Sequence, residues 1–339
     1  MNKVIKWMGV VILILVIFVG YLLFAPNIFP VSEEKGFLCI PDSSTFKDVQ
    51  KYLQRDARVL NFKTFNYAAH LMHYGDNIHP GRYQLKTAMN NFQLIRLLRS
   101  GRQTPVKLTF NNIRTKEQLA GRLGKQLMAD SLNIMKVLND TAFLSKYGLN
   151  PDNAIVLFIP NTYQIFWNVT AKKLVERMDK EYNKFWTPER RAKAAAIPLQ
   201  LPEVSTLASI VEEETNNKKD QPMVAGLYIN RLKVGMPLQA DPTIKFALGD
   251  FSLKRILSGN LRVNSPYNTY RNLGLPPGPI RVASERGIDA VLNYNHHNYI
   301  YMCASETLNG EHKFAVTWKE HVANAKKYRQ TLNELKIFK

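Results

Sequence analysis

Three consecutive glutamates, Glu212 to Glu214, close an apolar run in the segment TLASIVEEETNN at residues 206–217. A glutamate can act as a general acid when its surroundings keep it protonated near neutral pH. Adjacent charged residues more often form a solvated helix face. The chemistry of this segment therefore depends on where each of the three side chains points.

A helical wheel separates the three carboxylates. With about 100° between successive residues, Glu214 lies at about −20° from Leu207, in the middle of the apolar face, whereas Glu212 and Glu213 lie at about +140° and about −120°. A carboxyl group on an apolar face loses hydration, which raises its pKa and favours the protonated form. Glu214 is therefore the candidate general acid. The alternative is a buried structural glutamate bound to a backbone donor or to an arginine such as Arg231.

Two downstream segments carry groups that could hold a substrate. VAGLYINRLKVGMPLQADPTIKFALG (224–249) predicts a helix through Leu232 and then a turn. Gln239 and Asp241 follow, and an extended chain would point both in one direction because successive side chains alternate. SPYNTYRNLGLPPGPI (265–280) predicts a loop that its prolines hold in shape. Its ring faces, hydroxyls and amide suit a sugar polymer, and a proline-rich structural turn is the alternative.

Other reaction types have little support in the sequence. Several histidines lie close together near the C-terminus without the H-E-x-x-H spacing or a comparable one, so we expect no metal site and no cofactor. They are His296, His297, His312 and His321. We find no glycine-rich phosphate loop and no Ser or Cys nucleophile motif. Cys39 and Cys303 are expected to be buried thiols, and one disulfide between them remains open.

The chain has 339 residues and a net charge of +19, from 46 Lys and Arg against 27 Asp and Glu. Such an excess favours a polyanionic partner such as nucleic acid, anionic lipid or an acidic polymer. The basic residues are scattered rather than gathered in an arm, which indicates a diffuse positive field.

A run of nineteen uncharged, mostly apolar residues spans 7–25. As a helix it would be about 29 Å long, close to the bilayer core of about 30 Å. Lys3 and Lys6 precede the run, and Glu33 and Glu34 follow it. The positive-inside rule then predicts a single-pass protein of the inner (cytoplasmic) membrane, with a cytoplasmic N-terminus and a periplasmic or extracytoplasmic body.

A cleaved signal peptide is the alternative, but FAPNIFP offers no convincing cleavage site. We therefore expect no nucleic-acid partner.

The sequence predicts an α+β fold in four parts. Residues 1–25 form a transmembrane anchor, 26–35 a linker, 36–103 a small α/β subdomain, and 104–335 a larger mixed α/β domain that carries the acid on a helix beside a cleft. The small subdomain, with a strand near Tyr83 and amphipathic helices, resembles a LysM-like module.

The motifs of the C-terminal half together resemble one family. LASIVEEET, VAGLYINRLKVGMPLQADPT, SPYNTY, GLPPGPI and an H-x-F followed by Glu-His occur in the order typical of the YceG-like (MltG) family, whose members are membrane-anchored endolytic murein transglycosylases. The close match covers most of 203–328, and the N-terminal parts agree more loosely. The sequence departs from the family pattern at Glu213, where lysine is common, and at Arg281-Val282, where small residues are usual.

The resemblance implies that Glu214, the last glutamate of its block, is the catalytic residue of a lyase. The implied reaction cleaves the β-1,4 bond between N-acetylmuramic acid and N-acetylglucosamine in nascent peptidoglycan strands. It leaves 1,6-anhydro ends and terminates glycan elongation, and peptidoglycan synthases are candidate partners. The expected substrate-binding residues are Asn230, Gln239, Asp241, Thr243, Tyr267, Asn268, Thr269, Tyr270, Pro276 and Pro277.

Two other functions remain open at this level. In a muramidase-type hydrolase Asp241 would be the second carboxylate that such enzymes need, whereas in a lyase it would orient a neighbouring group. A non-catalytic peptidoglycan-binding scaffold would use the subdomain and the cleft only to hold glycan.

Overall fold

The computed structural model describes residues 2–31, 36–335 and 337, and these form a mixed α/β protein with two compact units. The first unit comprises Met1–Leu108, Gly124–Ala129 and Tyr163–Thr170. The second comprises Thr109–Leu123, Asp130–Thr162 and Ala171–Lys339. The division thus falls a few residues after the expected boundary at 103/104, and two later segments group with the first unit.

The first unit begins with a long apolar helix, α1 (Asn2–Phe24). Its segment Val4–Phe24 is long and apolar enough to cross a membrane. Most of its side chains are exposed, but Leu22 is buried. The carbonyl of Leu22 accepts a hydrogen bond of 2.8 Å from the Asn91 side chain, so the C-terminal end of α1 is packed into the unit.

A strand follows α1 directly. Residues Pro26–Pro30 form β1, where the sequence analysis placed the first half of a linker at 26–35. β1 is the middle strand of a three-stranded antiparallel sheet. Its neighbours are β3 (Ala57–Val59) and β5 (Met89–Asn90). Positions 32–35 of the expected linker, with Glu33 and Glu34, lie outside the described residues.

A buried asparagine explains why the chain is ordered at this point. The Asn27 side chain donates hydrogen bonds to the Asn61 carbonyl (3.0 Å) and to Asn91 Oδ1 (2.7 Å), and it accepts one from the Asn61 amide (2.7 Å). Buried polar groups are stable only when their hydrogen bonds are made. Asn27 thus joins the segment after α1 to the rest of the unit.

From β2 to α4 the first unit has the order strand, helix, strand, helix, strand, strand, helix. Apart from β3 and β5, its elements are β2 (Phe37–Ile40), α2 (Phe46–Asp56), α3 (Phe62–Leu71), β4 (Gly81–Gln84) and α4 (Asn91–Arg99). β2 pairs with β4 in antiparallel register, and α2 starts at Thr45, which forms a capping box with Asp48. The expected strand near Tyr83 and the expected helices are therefore present, and the LysM-like assignment stays a prediction. β6 (Val106–Thr109) and β7 (Thr162–Ile165) form another pair.

The second unit is mostly helical. Its helices are α5 (Lys116–Gly124), α6 (Ser131–Leu138), α7 (Thr141–Leu144), α8 (Ala171–Phe185), α9 (Pro188–Ala196), α10 (Leu201–Glu214), α11 (Asp220–Lys233), α12 (Asp241–Leu248), α13 (Glu285–Leu292) and α14 (Trp318–Glu334). Its strands β8 (Tyr301–Ala304) and β9 (His312–Ala315) pair antiparallel.

Helix α10 lies at the centre of this unit. The Glu203 side chain accepts a hydrogen bond of 2.7 Å from the Gln200 amide and so fixes the start of the helix. Residues Val204 to Glu212 are all buried, and α10 packs against α11, α12 and α13. The wheel led us to expect one apolar face, but neighbouring elements cover the helix on several sides. None of its three C-terminal carboxylates belongs to a solvated face.

Candidate active site

The three glutamates at the end of α10 point to three different environments. The Glu212 carboxylate lies at the start of α13, where it accepts hydrogen bonds from the amide of Ser284 (3.0 Å) and from the Ser284 hydroxyl. Ser284 is the N-cap of α13, and a negative charge is favourable beside a helix N-terminus. Glu212 therefore has a structural role, joining α10 to α13.

Glu213 forms ion pairs with two arginines. Its carboxylate oxygens lie 2.8 Å from Arg281 Nη1 and 3.0 Å from Arg114 Nη2. Glu213 and Arg281 are two positions at which the sequence departs from the family pattern, and the structure shows that they pair with each other. The positive charge of Arg281 thus compensates the negative charge of Glu213.

Glu214 is partly buried and accepts a hydrogen bond of 2.9 Å from the hydroxyl of Tyr228 on α11. Burial raises the pKa of Glu214 to about 7; the Tyr228 hydrogen bond and the charge of Arg231 lower it, and the charge of Asp241 raises it. A carboxylic acid with a pKa near 7 is protonated in a large fraction of molecules at neutral pH, as a general acid requires.

The alternative of a glutamate neutralised by Arg231 is not observed. The Arg231 guanidinium donates hydrogen bonds to the carbonyls of Ile300 (2.7 Å) and Leu238 (2.7 Å). Within the described part of the chain, no ion pair joins it to Glu214. Arg231 therefore joins α11 to the segments around it by hydrogen bonds. It does not hold Glu214 in the ionised form through an ion pair.

A cavity of about 220 Å³ reaches Glu214. Its walls come from α10, α11, the segment before α12, the loop after it and the β8–β9 pair. The lining includes Glu214, Tyr228, Arg231, Gln239, Asp241 and Tyr270. A carboxylic acid, a carboxylate and hydroxyls in one small polar cavity can hold and protonate a polar substrate.

Gln239 and Asp241 both line this cavity, but their backbone is not simply extended, as the sequence analysis had assumed. Gln239 has a φ of 52°, a conformation that non-glycine residues adopt rarely. Its backbone amide donates a hydrogen bond of 3.1 Å to the Thr269 carbonyl. Asp241 is the first residue of α12 and accepts a hydrogen bond of 2.6 Å from the Tyr270 hydroxyl.

Three of the expected substrate-binding residues are buried and serve the loop instead. Thr243, Asn268 and Thr269 are at most 1% exposed. Asn268 donates to the carbonyls of Leu261 and Val263, and the Thr269 hydroxyl is bonded to the Ala240 amide and to Thr243. These residues hold the SPYNTY loop against the start of α12, and in this structure they do not reach the cavity surface.

Four more expected residues lie away from the Glu214 cavity. Asn230 donates to the carbonyls of His297 and Tyr299. The Tyr267 ring packs on Phe246, with centroids 4.6 Å apart, and burial raises the pKa of Tyr267 to about 12. Pro276 and Pro277 line a different cavity of about 530 Å³.

The structure adds cavity residues that the sequence analysis did not select. Tyr228, Met302, Cys303, Ala304 and His312 all line the cavity. His312 belongs to the H-x-F motif, for which the sequence indicated no role. Tyr228 lies in a predicted helix, where nothing in the sequence distinguishes it from a core residue. Only the fold shows that these positions face Glu214.

The two cysteines are free, and each is half-buried rather than fully buried. Burial raises the pKa of both thiols. In the part of the chain that the structure describes, no group of three or more His, Cys, Asp or Glu side chains could hold a metal ion.

The fold and the site define a mixed α/β protein with an N-terminal apolar helix and one carboxylic acid of raised pKa in a small polar cavity. Residues 38–327 match the model of the YceG-like family. The chain belongs to this family.

The chain is similar to curated proteins and to a solved structure. The chain is 28% identical over 312 residues to an endolytic murein transglycosylase of Bacillus subtilis (strain 168), covering 87% of this chain and 85% of that protein. It is 26% identical over 342 residues to an endolytic murein transglycosylase of Streptococcus pneumoniae (strain D39), covering 90% of this chain and 61% of that longer protein. The crystal structure of a yceG-like protein of Listeria monocytogenes superposes with a TM-score of 0.55 at 28% identity, covering 86% of this chain and 99% of that one.

Proposed function

We propose that this chain is a membrane-anchored lytic transglycosylase of peptidoglycan. It cleaves the β-1,4 bond between N-acetylmuramic acid and N-acetylglucosamine within a glycan strand and leaves a 1,6-anhydro-muramic end. The observation that carries the proposal is the Glu214 carboxyl, whose pKa is raised to about 7 in a polar cavity. The relatives named endolytic murein transglycosylase supply the substrate class.

The reaction begins with Glu214 as general acid. Its proton passes to the glycosidic oxygen of the leaving N-acetylglucosamine as the bond to C1 of the muramic residue breaks. The C6 hydroxyl of the same muramic residue then forms a bond to C1 and gives its proton to the Glu214 carboxylate, which closes the 1,6-anhydro ring and restores the acid. No water is added, so a single acidic residue suffices where a hydrolase needs two.

Asp241 and Tyr270 supply electrostatic support. The transition state has oxocarbenium character, and a carboxylate on the wall of the same cavity stabilises positive charge there. The hydrogen bond from Tyr270 to Asp241 fixes the direction of that carboxylate. General acid catalysis contributes roughly 10²–10⁴-fold, so such groups must supply the remainder of the rate.

Helix α1 is the proposed single-pass anchor. Its segment Val4–Phe24 has the length and the apolar character of a membrane span, and the positive-inside rule places the body outside the cytoplasm. Because β1 begins two residues after α1 ends and is paired on both edges, the anchor continues into folded structure. We infer that the enzyme acts on strands near the membrane, where new glycan emerges beside the synthases, and limits their length.

The test is digestion of purified glycan strands followed by mass spectrometry. The wild-type chain should give 1,6-anhydro-muramic ends, and a hydrolase would give ends about 18 Da heavier, since it adds one water. Glu214→Gln should lower the rate by roughly 10²–10⁴-fold, because the amide cannot donate the catalytic proton. The matched control is Glu213→Gln, next in sequence and outside the cavity lining.

Two outcomes would overturn the proposal. Cleavage by Glu214→Gln at a rate close to that of the wild type would remove Glu214 from the mechanism. Binding of glycan without any cleavage by the wild-type chain would favour the scaffold function.

A further inference from the structure

The folded part of the first unit covers the end of the apolar helix α1. Residues 4–18 of α1 are exposed, whereas four of the five residues 19–23 are partly or fully buried. The Asn91 side chain at the start of α4 donates hydrogen bonds to the Leu22 carbonyl (2.8 Å) and to the Thr64 hydroxyl on α3 (3.3 Å). The last turns of α1 are therefore packed against α3 and α4.

This packing sets the depth at which α3 and α4 meet a membrane that α1 spans. The segment Val4–Phe24 is about 31 Å long as a helix, which matches the bilayer core of about 30 Å. Residues 19–23 then lie within about 8 Å of the outer boundary of that core. The elements that cover these residues are therefore at the level of the lipid headgroups, where interfacial helices lie.

Apolar side chains near this level are left exposed. Phe24 is 57% exposed, and its ring centroid lies 5.4 Å from that of Phe92 on α4. On α3, Tyr67 and Leu71 are 65% and 57% exposed. On a helical wheel they lie about 60° and about 20° from Thr64, the residue that shares Asn91 with α1. Exposed aromatic residues at the end of a membrane span are typical of the membrane–water interface.

Two basic side chains extend the same surface. Arg96 and Arg99 are exposed in the last turn of α4, and both lie on the face of α4 that carries Phe92. Neither forms an ion pair in the described part of the chain. Arginine can keep its apolar stem against lipid while the guanidinium reaches a phosphate, and anionic phospholipids attract such groups.

We propose that the first unit docks on the outer leaflet of the membrane that α1 spans and binds anionic phospholipid headgroups there. The docking surface is formed by Phe24, Tyr67, Leu71, Phe92, Arg96 and Arg99. This inference rests on the proposed anchoring through α1, with which the docking surface is continuous. It goes further than anchoring, because contacts beside the span fix the tilt and rotation that the length of one helix leaves open.

The experiment uses the full-length chain reconstituted in vesicles of phosphatidylcholine and phosphatidylglycerol. A fluorescent label with a long lifetime in lipid and a short one in water is attached at Lys63→Cys, after Cys39→Ser and Cys303→Ser. Lys63 is exposed and lies one helical turn before Tyr67. The label should show the long lifetime, and lipids with a nitroxide on the headgroup should quench it.

The matched position is Gln54→Cys on α2, which is exposed as well. Helix α2 leads into Ala57, which pairs with Pro30 at the end of β1 that is further along the chain from α1. The label at this position should keep the short lifetime and escape quenching. Equal lifetimes and equal quenching at the two positions would overturn the docking.

Arg96→Gln combined with Arg99→Gln tests the anionic headgroups, with the label at Lys63→Cys. The ratio of docked to undocked chains, taken from the two lifetimes, should fall roughly 30-fold, or about fivefold for each arginine. Vesicles of phosphatidylcholine alone should have the same effect on the unchanged chain. Lys51→Gln with Arg55→Gln removes two exposed charges from α2 and should leave the ratio unchanged.

Tyr67→Ser combined with Leu71→Ser tests the apolar contact. Both side chains are exposed, so the melting temperature in detergent should stay close to that of the unchanged chain. The ratio of docked to undocked chains should nevertheless fall in vesicles, because apolar area is withdrawn from lipid. An unchanged ratio would show that α3 does not contact the membrane.

A label at Ile14→Cys, in the middle of α1, separates the docking from the anchoring on which it rests. If lipids with a nitroxide on the acyl chain do not quench this label, α1 does not span the membrane and the proposed anchoring fails. If they quench it and the Lys63→Cys label remains in water, only the docking is wrong. A docked ratio that depends neither on phosphatidylglycerol nor on the two arginines would overturn the binding of anionic headgroups.

Discussion

The Tyr228 hydroxyl on α11 donates a hydrogen bond of 2.9 Å to Glu214 Oε1 at the end of α10. This contact favours the carboxylate, because a donor stabilises the ionised form. Burial and the charge of Asp241 act in the opposite direction, and the net result is a pKa of about 7 for Glu214. The fold thus keeps the group close to the midpoint between acid and base, where it can give a proton and take one back.

The alkaline side of the pH–rate profile should report Glu214. Only the protonated form donates to the glycosidic oxygen, and that form is lost as pH rises through about 7. The rate should therefore fall about tenfold for each pH unit above this value. Initial rates of anhydro-end formation between pH 5 and 9 measure it. A rate that keeps rising to pH 9 would contradict the assignment.

Tyr228→Phe removes the donor that favours the carboxylate, so the pKa of Glu214 should rise further and the alkaline limb should move to higher pH. The maximal rate should fall, since a hydrogen bond to a charged group is worth about 1.5–3 kcal/mol and also orients the carboxyl. Tyr182→Phe is the control, because Tyr182 is also a buried tyrosine and lies outside the cavity. Equal effects of the two variants on the rate would show that the loss of activity comes from altered packing and not from the hydrogen bond to Glu214.

Asp241→Asn should move the same limb in the opposite direction. The charge of Asp241 raises the pKa of Glu214, so its removal lowers that pKa and shifts the alkaline limb to lower pH. Tyr270→Phe keeps the charge and removes only the hydrogen bond to Asp241, so its limb should stay near the wild-type position. Shifts of the same sign in Asp241→Asn and Tyr228→Phe would refute this account of the site.

The free energy of unfolding should depend on pH through Glu214, and it should fall as the pH rises. The pKa of Glu214 is raised from 4.5 to about 7 on folding, so the folded state binds more protons between these values and stability falls as pH rises through them. The effect is at most on the order of 3 kcal/mol, and less because the carboxyl is partly exposed to the cavity. Glu214→Gln cannot ionise, so its melting temperature relative to that of the wild type should be higher at pH 8 than at pH 5. Thermal unfolding at both pH values measures this, and an unchanged difference would contradict it.

The helical wheel selected Glu214 from the helical repeat alone, and the catalytic role of this residue stays a prediction. The wheel could not show what surrounds the helix. The pattern led us to expect one apolar face, yet Glu212 is held at the start of α13 and Glu213 between two arginines. Contacts such as that of Glu213 with Arg281 join residues far apart in the chain, and no local pattern encodes them.

The loop residues show the same limit. Side chains of Asn and Thr suit both sugar hydroxyls and the backbone of a tight loop. The SPYNTY motif therefore allowed either use, and the structure assigns Asn268 and Thr269 to the loop itself. For His312 the sequence indicated too little rather than too much, because the spacing of the histidines argued only against a metal site. The contact of His312 with Asp220 is seen only in the folded chain.

The glycine of the GLPPGPI motif provides a test of how the site is supported. A Cβ atom at Gly278 would overlap the backbone carbonyl of Asp152, which cannot move aside as a flexible side chain could. Close approach at this point lets the loop continue to Ile280, whose amide donates a hydrogen bond of 3.0 Å to Ser209 Oγ on α10. Gly278→Ala should destabilise the chain by about 1–3 kcal/mol and reduce activity as the loop moves away from α10. At Gly121 an added Cβ meets nothing within 4 Å, so Gly121→Ala in helix α5 should be neutral or stabilising by up to about 1 kcal/mol. Thermal unfolding and the glycan assay on both variants check this, and equal stability of the two would show that the contact with Asp152 is not needed.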